Sequence, residues 1–345
     1  MTGRPAVDVV VPVWNSARWL DGCLAALAAQ TLAPAAIVFV DDASTDDTAA
    51  RLEARLEAGH GAPPGAGPGS RPPRMRLLRQ PVHGGFATAA NAGIRATTAP
   101  LVALLNVDTQ AAPDWLAQLA AHLEAAPDSV GFAASKMLQL AVPERIDGAG
   151  DTFSRYGSAR KRGHGEPAAG WTRPERVLSA SAGAALYRRS MLDDVGLFDE
   201  SFGSYLEDVD LGLRAQLAGW ECLFVPAARV LHEGGGSALP RPGYVRLLTA
   251  NRAATVVKNL PGRLLLRHLP ALVWGQCYFA AAYRRPLASL AGYGDFLRRL
   301  PAILRERRRI QRRRRIPVER FRRLLSRELG EPPLRRLILR RLGAR

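Results

Sequence analysis

Cysteine is scarce in this chain: Cys23, Cys222 and Cys277 are odd in number, far apart and never in a CxxC spacing. That excludes a disulfide framework or a zinc ribbon and fits a reducing compartment. A clean apolar run of membrane-spanning length is also missing. The best candidate, Leu264–Ala282, contains Arg267, His268, Pro270 and Gln276, and an arginine and a histidine at mid-bilayer are costly. An interfacial helix pair is expected there instead of a span. No signal peptide is expected, because the early apolar run Val7–Val13 holds Asp8 and Pro12 and reads as a strand. No internal repeat is visible, and no Gly-rich, lysine-bearing phosphate loop stands near the N-terminus, where the chain reads VVVPVWN.

Charge, by contrast, is abundant and lopsided. The net charge is +17, yet residues 241–345 hold 27 Lys/Arg against 5 Asp/Glu, leaving the first 240 residues at −5. A mildly acidic part therefore precedes a strongly basic one, and the two must meet different partners. With 345 residues and 47% hydrophobic content, the chain can bury a sizeable core in one large domain or two.

The first half alternates strand and helix. Val7–Val13 reads as a buried strand, and Ser16–Gln30 as a helix with Trp19, Leu20, Cys23, Leu24 and Leu27 on one face. Ala36–Val40 is a second strand, with Ser44 as the expected N-cap of a helix running from Thr48 to Ala58. The Gly/Pro-rich stretch Gly59–Pro73 reads as a loop; strands follow at Arg74–Leu78 and Leu101–Asn106, separated by the helix Gly85–Ala96. Such alternation implies an α/β fold with a mostly parallel, Rossmann-like sheet, which binds ligands at the carboxyl ends of its strands. A helix is expected at Asp114–Ala125, strands and loops from Phe132 to Leu178, and helices at Arg189–Val195 and Val209–Ala218, the last closed by Gly219.

Three segments place carboxylates at those strand ends or at turns, VFVDDASTDDT (Val38–Thr48), LLNVDT (Leu104–Thr109) and FDESFGSYLEDVDLGLR (Phe198–Arg214), and a fourth, VVVPVWN (Val9–Asn15), closes the first strand on an asparagine. Acids in such number beside apolar runs destabilise a fold unless a ligand or cation neutralises them. Asp41 and Asp42 precede a helix start, where a carboxylate can accept from a pyrimidine ring N–H or a ribose hydroxyl. Asp108 offers a hard divalent cation an oxygen ligand, and Asn106 a neutral carbonyl or a sugar contact. Glu207 and Asp208 open a helix, where a partly desolvated carboxylate can serve as a general base or simply offset the helix dipole.

In order and spacing the set resembles the catalytic domain of glycosyltransferase family 2, within it the bacterial rhamnosyltransferase-like branch, over roughly residues 7 to 260. HGGFATAANAG (His83–Gly93) extends the likeness, with His83 and Ala90 departing from asparagines usual there. The resemblance implies a GT-A fold over residues 1–240, with the nucleotide-sugar half ending near 130 and the acceptor half at 240. It implies that Pro12, Val13, Asn15, Asp41, Asp42, Gly85, Phe86, Asn91 and Asn106 bind the donor, and that Asp108 and His232 hold Mg²⁺ or Mn²⁺. It makes Asp208 the base, with Glu207 positioning the acceptor or taking the base's place, and Asp210 structural. The reaction implied is inverting transfer, with dTDP-rhamnose the leading donor and a lipid-linked or polysaccharide acceptor in cell-envelope glycan synthesis.

Residues 241–345 are expected to form a basic, amphipathic helical extension. Its apolar segments Leu264–Ala282 and Leu287–Leu304, followed by RERRRIQRRRR (Arg305–Arg315), describe attachment to an anionic membrane surface at the inner face of a bacterial cell membrane. Nucleic acid is not expected, since no RNP-type strand or recognition helix accompanies the arginines. The alternatives are a nucleotidyltransferase, which the missing phosphate loop disfavours, and an inactive lipid- or RNA-binding scaffold. The second is disfavoured by Asp108 and the Glu207–Asp208 pair, which are all present.

Overall fold

A run of almost unbroken β-branched residues, VDVVVPV, forms β1 (Val7–Val13) and is buried on both faces, as the inner strand of a parallel sheet requires. The computed structural model describes residues 6–57, 73–234 and 241–329. Most of the loop expected at Gly59–Pro73, and the boundary expected at residue 240, fall outside these residues. The chain divides into two compact units: Met1–Asp151 with Lys161–Ala215 and Trp220–Gly236, and Thr152–Arg160 with Gln216–Gly219 and Ser237–Arg345.

In the first unit, α1 (Ala17–Ala28), β2 (Ala36–Asp41), α2 (Thr48–Glu57), β3 (Arg74–Arg79), α3 (Phe86–Arg95) and β4 (Leu101–Leu105) follow in alternation. α1 buries Leu20, Cys23 and Leu27, one helical face against the sheet. The strand order is β4-β1-β2-β3, with β1 parallel to both β2 and β4 and β2 parallel to β3. Chain direction across the sheet therefore reverses between β1 and β4, and the crevice at such a switch point is where open α/β sheets hold ligands.

Next come β5 (Thr109–Ala111), α4 (Trp115–Ala125), β6 (Val130–Gln139) and β7 (Ile146–Gly148), with β8 (Asp151–Ser154) and β9 (Ala159–Lys161) after them. Then follow β10 (Glu175–Val177), β11 (Ala184–Arg188), α5 (Arg189–Val195), α6 (Glu207–Leu217) and β12 (Glu221–His232). The sheet continues beyond β4 as β11, β6, β12 and β10, with β11 antiparallel to β4 and β12 parallel to β6. The fold is mixed α/β with a mostly parallel centre. One helix start differs from expectation. Asp46, not Ser44, caps α2, its Oδ1 accepting from the Thr48 amide at 3.0 Å. The Ser44 hydroxyl instead accepts from the Asn15 amide at 2.9 Å, because Ala43 turns with φ of 59° and carries Ser44 toward β1.

The second unit is mainly helical: α7 (Arg241–Asn259), α8 (Gly262–Tyr283), α9 (Pro286–Arg312) and α10 (Val318–Leu324), ending at β13 (Leu325–Ser326), which pairs with β8. α8 turns Leu264, Leu272, Gly275, Tyr278 and Phe279 inward. A Cβ at Gly275 would lie 2.1 Å from the Tyr156 carbonyl oxygen, so only glycine permits this approach.

Candidate active site

β12 ends at His232, which the antiparallel pairing with β5 sets opposite Thr109, next to Asp108 in the turn after β4. The imidazole Nε2 lies 3.4 Å from Asp108 Oδ2, and Nδ1 lies 2.8 Å from Asp147 Oδ2 at the start of the β7 hairpin. Because Nδ1 faces a carboxylate oxygen, it carries the proton. Lys161 Nζ reaches the same Asp147 oxygen at 2.6 Å, and His164 Nδ1 lies 3.5 Å from the other.

Burial works against the charge on both central groups, and their partners outweigh it. Asp147 is held far below the ordinary carboxylate range by the His232 hydrogen bond and the Lys161 charge. His232 is pushed up to about 9 by its hydrogen bonds to Asp108 and Asp147.

Could this pair hold a divalent ion? Two ligands each about 2.1 Å from one ion stand roughly 3.0–3.4 Å apart at right or tetrahedral angles. The Asp108–His232 separation of 3.4 Å fits. The Asp147 carboxylate behind the far ring nitrogen completes the usual support of a metal-bound histidine. No group of three or more His, Cys, Asp or Glu among the described residues is arranged for an ion, so the protein itself offers such an ion this pair of ligands and not a full cage.

The second half of the site is the start of α6. Asp208 Oδ1 accepts from the Val209 amide at 2.8 Å and Oδ2 from Ala182 at 3.3 Å. The adjacent Gly183 carbonyl accepts from Asn106 at 2.8 Å. The 182–183 backbone thus ties the base candidate to the turn that carries Asp108. Burial raises the Asp208 carboxyl, and burial together with the Asp208 charge raises Glu207 further. Glu207 Oε2 is buried without a hydrogen-bond partner, as is Asp151 Oδ2, whose carboxyl is raised by burial and by the charge of Asp208. Immediately before this pair, Tyr205 and Leu206 both have positive φ, 69° and 70°. Asp210 makes a buried 2.9 Å ion pair with Arg214, which also donates to the Val195 and Leu197 carbonyls.

At the carboxyl ends of β1 and β2, Asp41 Oδ1 accepts from the Ser44 amide at 3.1 Å, and Asn15 Oδ1 from Thr45 at 2.7 Å, which joins the two strand ends beside Pro12 and Val13. The Gly-rich entrance to α3 differs from expectation. The Gly84 and Gly85 amides both donate to Asp42 at 2.8 Å, Phe86 to Ser204 Oγ at 3.3 Å and Ala87 to Gly203 at 2.9 Å. These amides are therefore committed within the protein. Gly85, with φ of 85°, is there because a Cβ would strike the Gly203 backbone at 2.8 Å. Asn91 is likewise buried, its amide bonded to Phe198 at both ends and to Glu200, so it anchors α3 instead of lining a pocket. Phe86 packs edge-on against Phe198, and His83 stacks on Trp14 at 4.2 Å.

Sequence reasoning missed Asp147, Asp151, Lys161 and His164. They lie in the stretch expected only to shape the acceptor side, and His232 is 85 positions from Asp147. The sole local signal was a run of polar residues among glycines, IDGAGD and KRGHG.

A sequence model of glycosyl transferase family 2 matches residues 8–196. The N-acetylglucosaminyl-diphospho-decaprenol L-rhamnosyltransferase of Mycobacterium tuberculosis is 29% identical over 256 residues, 66% of this chain and 75% of that one. Among solved structures, Staphylococcus aureus TarS 1–349 with UDP-GlcNAc superposes with a TM-score of 0.53 at 16% identity, covering 95% of this chain and 98% of the other. GalNAc-T7 with UDP, GalNAc and Mn²⁺ gives 0.52 at 16%, covering 84% and 58%. At such identity these structures share the GT-A fold.

Proposed function

The chain belongs to glycosyl transferase family 2, and from that membership we propose an inverting, metal-dependent transferase of rhamnose, donated by dTDP-rhamnose. That it is a glycosyltransferase using nucleotide-sugar donors follows from the family. The observation that carries the finer reading is the Asp108–His232 pair backed by Asp147, in the same unit as Asp208 and the buried Glu207. The rhamnosyltransferase name of the mycobacterial relative favours the sugar and a polyprenyl-diphosphate-linked acceptor.

Asp108 and His232 would hold Mg²⁺ or Mn²⁺. The bound ion would neutralise charge developing on the leaving diphosphate. To ligate it, His232 must release the Nε2 proton while Asp147 keeps the Nδ1 proton in place, so the ring cannot turn away. Pro12, Val13, Asn15 and Asp41 would line the nucleoside side, with Asp42 and Gly85 fixing the loop beside them and Asn106 meeting the sugar. Asp208 accepts the proton of the acceptor hydroxyl as its oxygen bonds to the anomeric carbon and the bond to the diphosphate breaks on the opposite face. Glu207 positions the acceptor. The basic helical unit takes an anionic membrane surface as its partner, at the inner face of the cell membrane.

A transfer assay against a panel of nucleotide sugars, with and without Mn²⁺ or Mg²⁺, tests this reading. Transfer from dTDP-rhamnose to a polyprenyl-diphosphate-linked sugar, abolished by EDTA and giving the inverted anomer, is the expected result. Equal turnover in EDTA, or preference for another donor, would refute the metal or the sugar respectively.

A further inference from the structure

One face of α8 is uncovered. With Leu264, Leu272, Gly275 and Phe279 turned inward, the opposite side carries Leu266, Leu269, Val273, Trp274, Cys277 and Ala281. Their spacing of three and four residues places them in a single stripe, about 22 Å long at 1.5 Å per residue. Leu266 is 77% exposed, Leu269 54%, and Val273 and Trp274 55% each. Leu287 and Leu290, at the start of α9, are also exposed, at 81% and 65%. α8 contains no Asp or Glu, and exposed arginines flank the stripe: Arg263 and Arg267 at one end, Arg284 and Arg285 at the other.

We propose that this stripe of α8 is the membrane-inserting surface of the protein, lying in the plane of an anionic bilayer. Trp274 and Cys277 sit at the acyl boundary, and the flanking arginines lie on the lipid phosphates. The inference rests on the membrane reading given above and assigns that reading a face. Crossing is not an option: among the described residues no helix is long and apolar enough to span a membrane. Lipid also suits the surface better than a second copy of the chain. Pairing two such stripes would set arginines against arginines with no α8 carboxylate to offset them, whereas anionic headgroups supply the missing charge.

The native chain carries its own probe. Cys23 and Cys222 are buried and Cys277 is exposed. Burial pushes the Cys23 thiol up to about 12 and raises Cys222 as well, so a maleimide dye should label Cys277 selectively. Full-length protein bearing an NBD-maleimide is mixed with phosphatidylcholine vesicles with and without phosphatidylglycerol. The expected result is blue-shifted emission, quenched by shallow doxyl lipids, on the anionic vesicles. Leu269→Glu with Val273→Glu should lower vesicle binding about tenfold or more, since it puts two charges into the apolar layer. Both positions are more than half exposed, and an unchanged thermal melt confirms that the fold is kept.

Two outcomes would overturn the face while leaving membrane attachment standing: an unshifted dye on protein that co-sediments with vesicles, or a double variant that binds like the wild type. A chain that sediments with no vesicle at all would remove the membrane reading itself. A dye shielded without lipid, in a species of twice the mass by light scattering, would make the stripe a self-association surface and overturn the proposal.

Discussion

The two units are unusual in opposite ways. The first buries carboxylates: Asp41, Asp42, Asp147, Asp151 and Glu207 are all at or below 6% exposure. Of the large apolar side chains left exposed among the described residues, only Val82 and Val142 belong to it. The second unit exposes Leu266, Leu269, Val273, Trp274, Leu287, Leu290, Leu297 and Leu304. Buried charge and exposed apolar surface are the two departures that hydrophobic folding alone does not produce. Each suits the partner proposed for it, a polar ligand for the first unit and an apolar phase for the second. Within the first unit the buried acids also sort themselves. Asp8 accepts from the Thr98 and Ala99 amides, and Asp210 pairs with Arg214, whereas Asp151 and Glu207 each keep an oxygen without a partner. The unsatisfied pair lies beside Asp208.

If the first unit's buried charge exists for a ligand, removing it should affect chemistry before stability. The largest effect is expected of Asp108→Ala, which should abolish divalent-dependent transfer and weaken nucleoside-diphosphate binding by calorimetry. Full activity with EDTA present would break the comparison at its centre. Asp208→Asn should lower the transfer rate by about a hundredfold or more while donor binding stays nearly unchanged. Should Glu207→Gln show that loss instead, the two roles exchange. Because burial raises the Asp208 carboxyl, and only its ionised form accepts a proton, the wild-type rate should begin to fall on acidification above the ordinary carboxylate range.

Smaller effects sharpen the sorting of the acids. Asp147→Asn should weaken Mn²⁺ binding, measured by electron paramagnetic resonance, by about ten- to a hundredfold. A merely structural Asp147 would lower the melting temperature and leave Mn²⁺ affinity unchanged. The smallest effect belongs to Asp151→Asn. Burial raises the Asp151 carboxyl, so the folded chain holds that proton at pH values where the unfolded chain has lost it. Stability therefore falls as pH rises above the unfolded carboxylate value. An amide has no proton to lose, and Asp151→Asn should melt about 2–4 °C higher at pH 8 than wild type. The gain should shrink toward pH 4 in scanning calorimetry, and a gain that grows on acidification would show that Asp151 is ionised in the fold.

The parallel half of the sheet was legible because its signals are local. VDVVVPV and AIVFVD are almost wholly apolar, the first followed closely by Asn15 and the second ending at Asp41, so strand, burial and site edge coincide within a few residues. The α1 face and the start of α6 were legible for the same reason. What escaped was set by distant partners. Ser44 has the chemistry of a cap, but the positive φ of Ala43 hands that role to Asp46. Asn91 stands where a ligand-facing residue was expected, and its amide is held by Phe198, 107 positions away. Asp147 looks like one polar residue in a glycine-rich stretch until β12 brings His232 beside it. Of the pair proposed to hold a metal, Asp108 was announced in sequence by a strand end, while the Asp147 support behind His232 is purely tertiary.

The left-handed pair Tyr205–Leu206 has a consequence for how this enzyme can be improved or can drift. Each bulky residue held at positive φ destabilises the fold by about 1 kcal/mol or more, and glycine at either position would relieve that strain. Yet the turn they make is what swings Glu207 and Asp208 into the first turn of α6, with Gly203 and Ser204 simultaneously closing the start of α3. A screen for thermostability alone would favour glycine here, and its winners would be free to let the carboxylates wander. Selection on turnover would keep the strained pair. Residues 205 and 206 are therefore where stability and activity should trade against each other most directly, and a search for a more robust variant should leave them untouched.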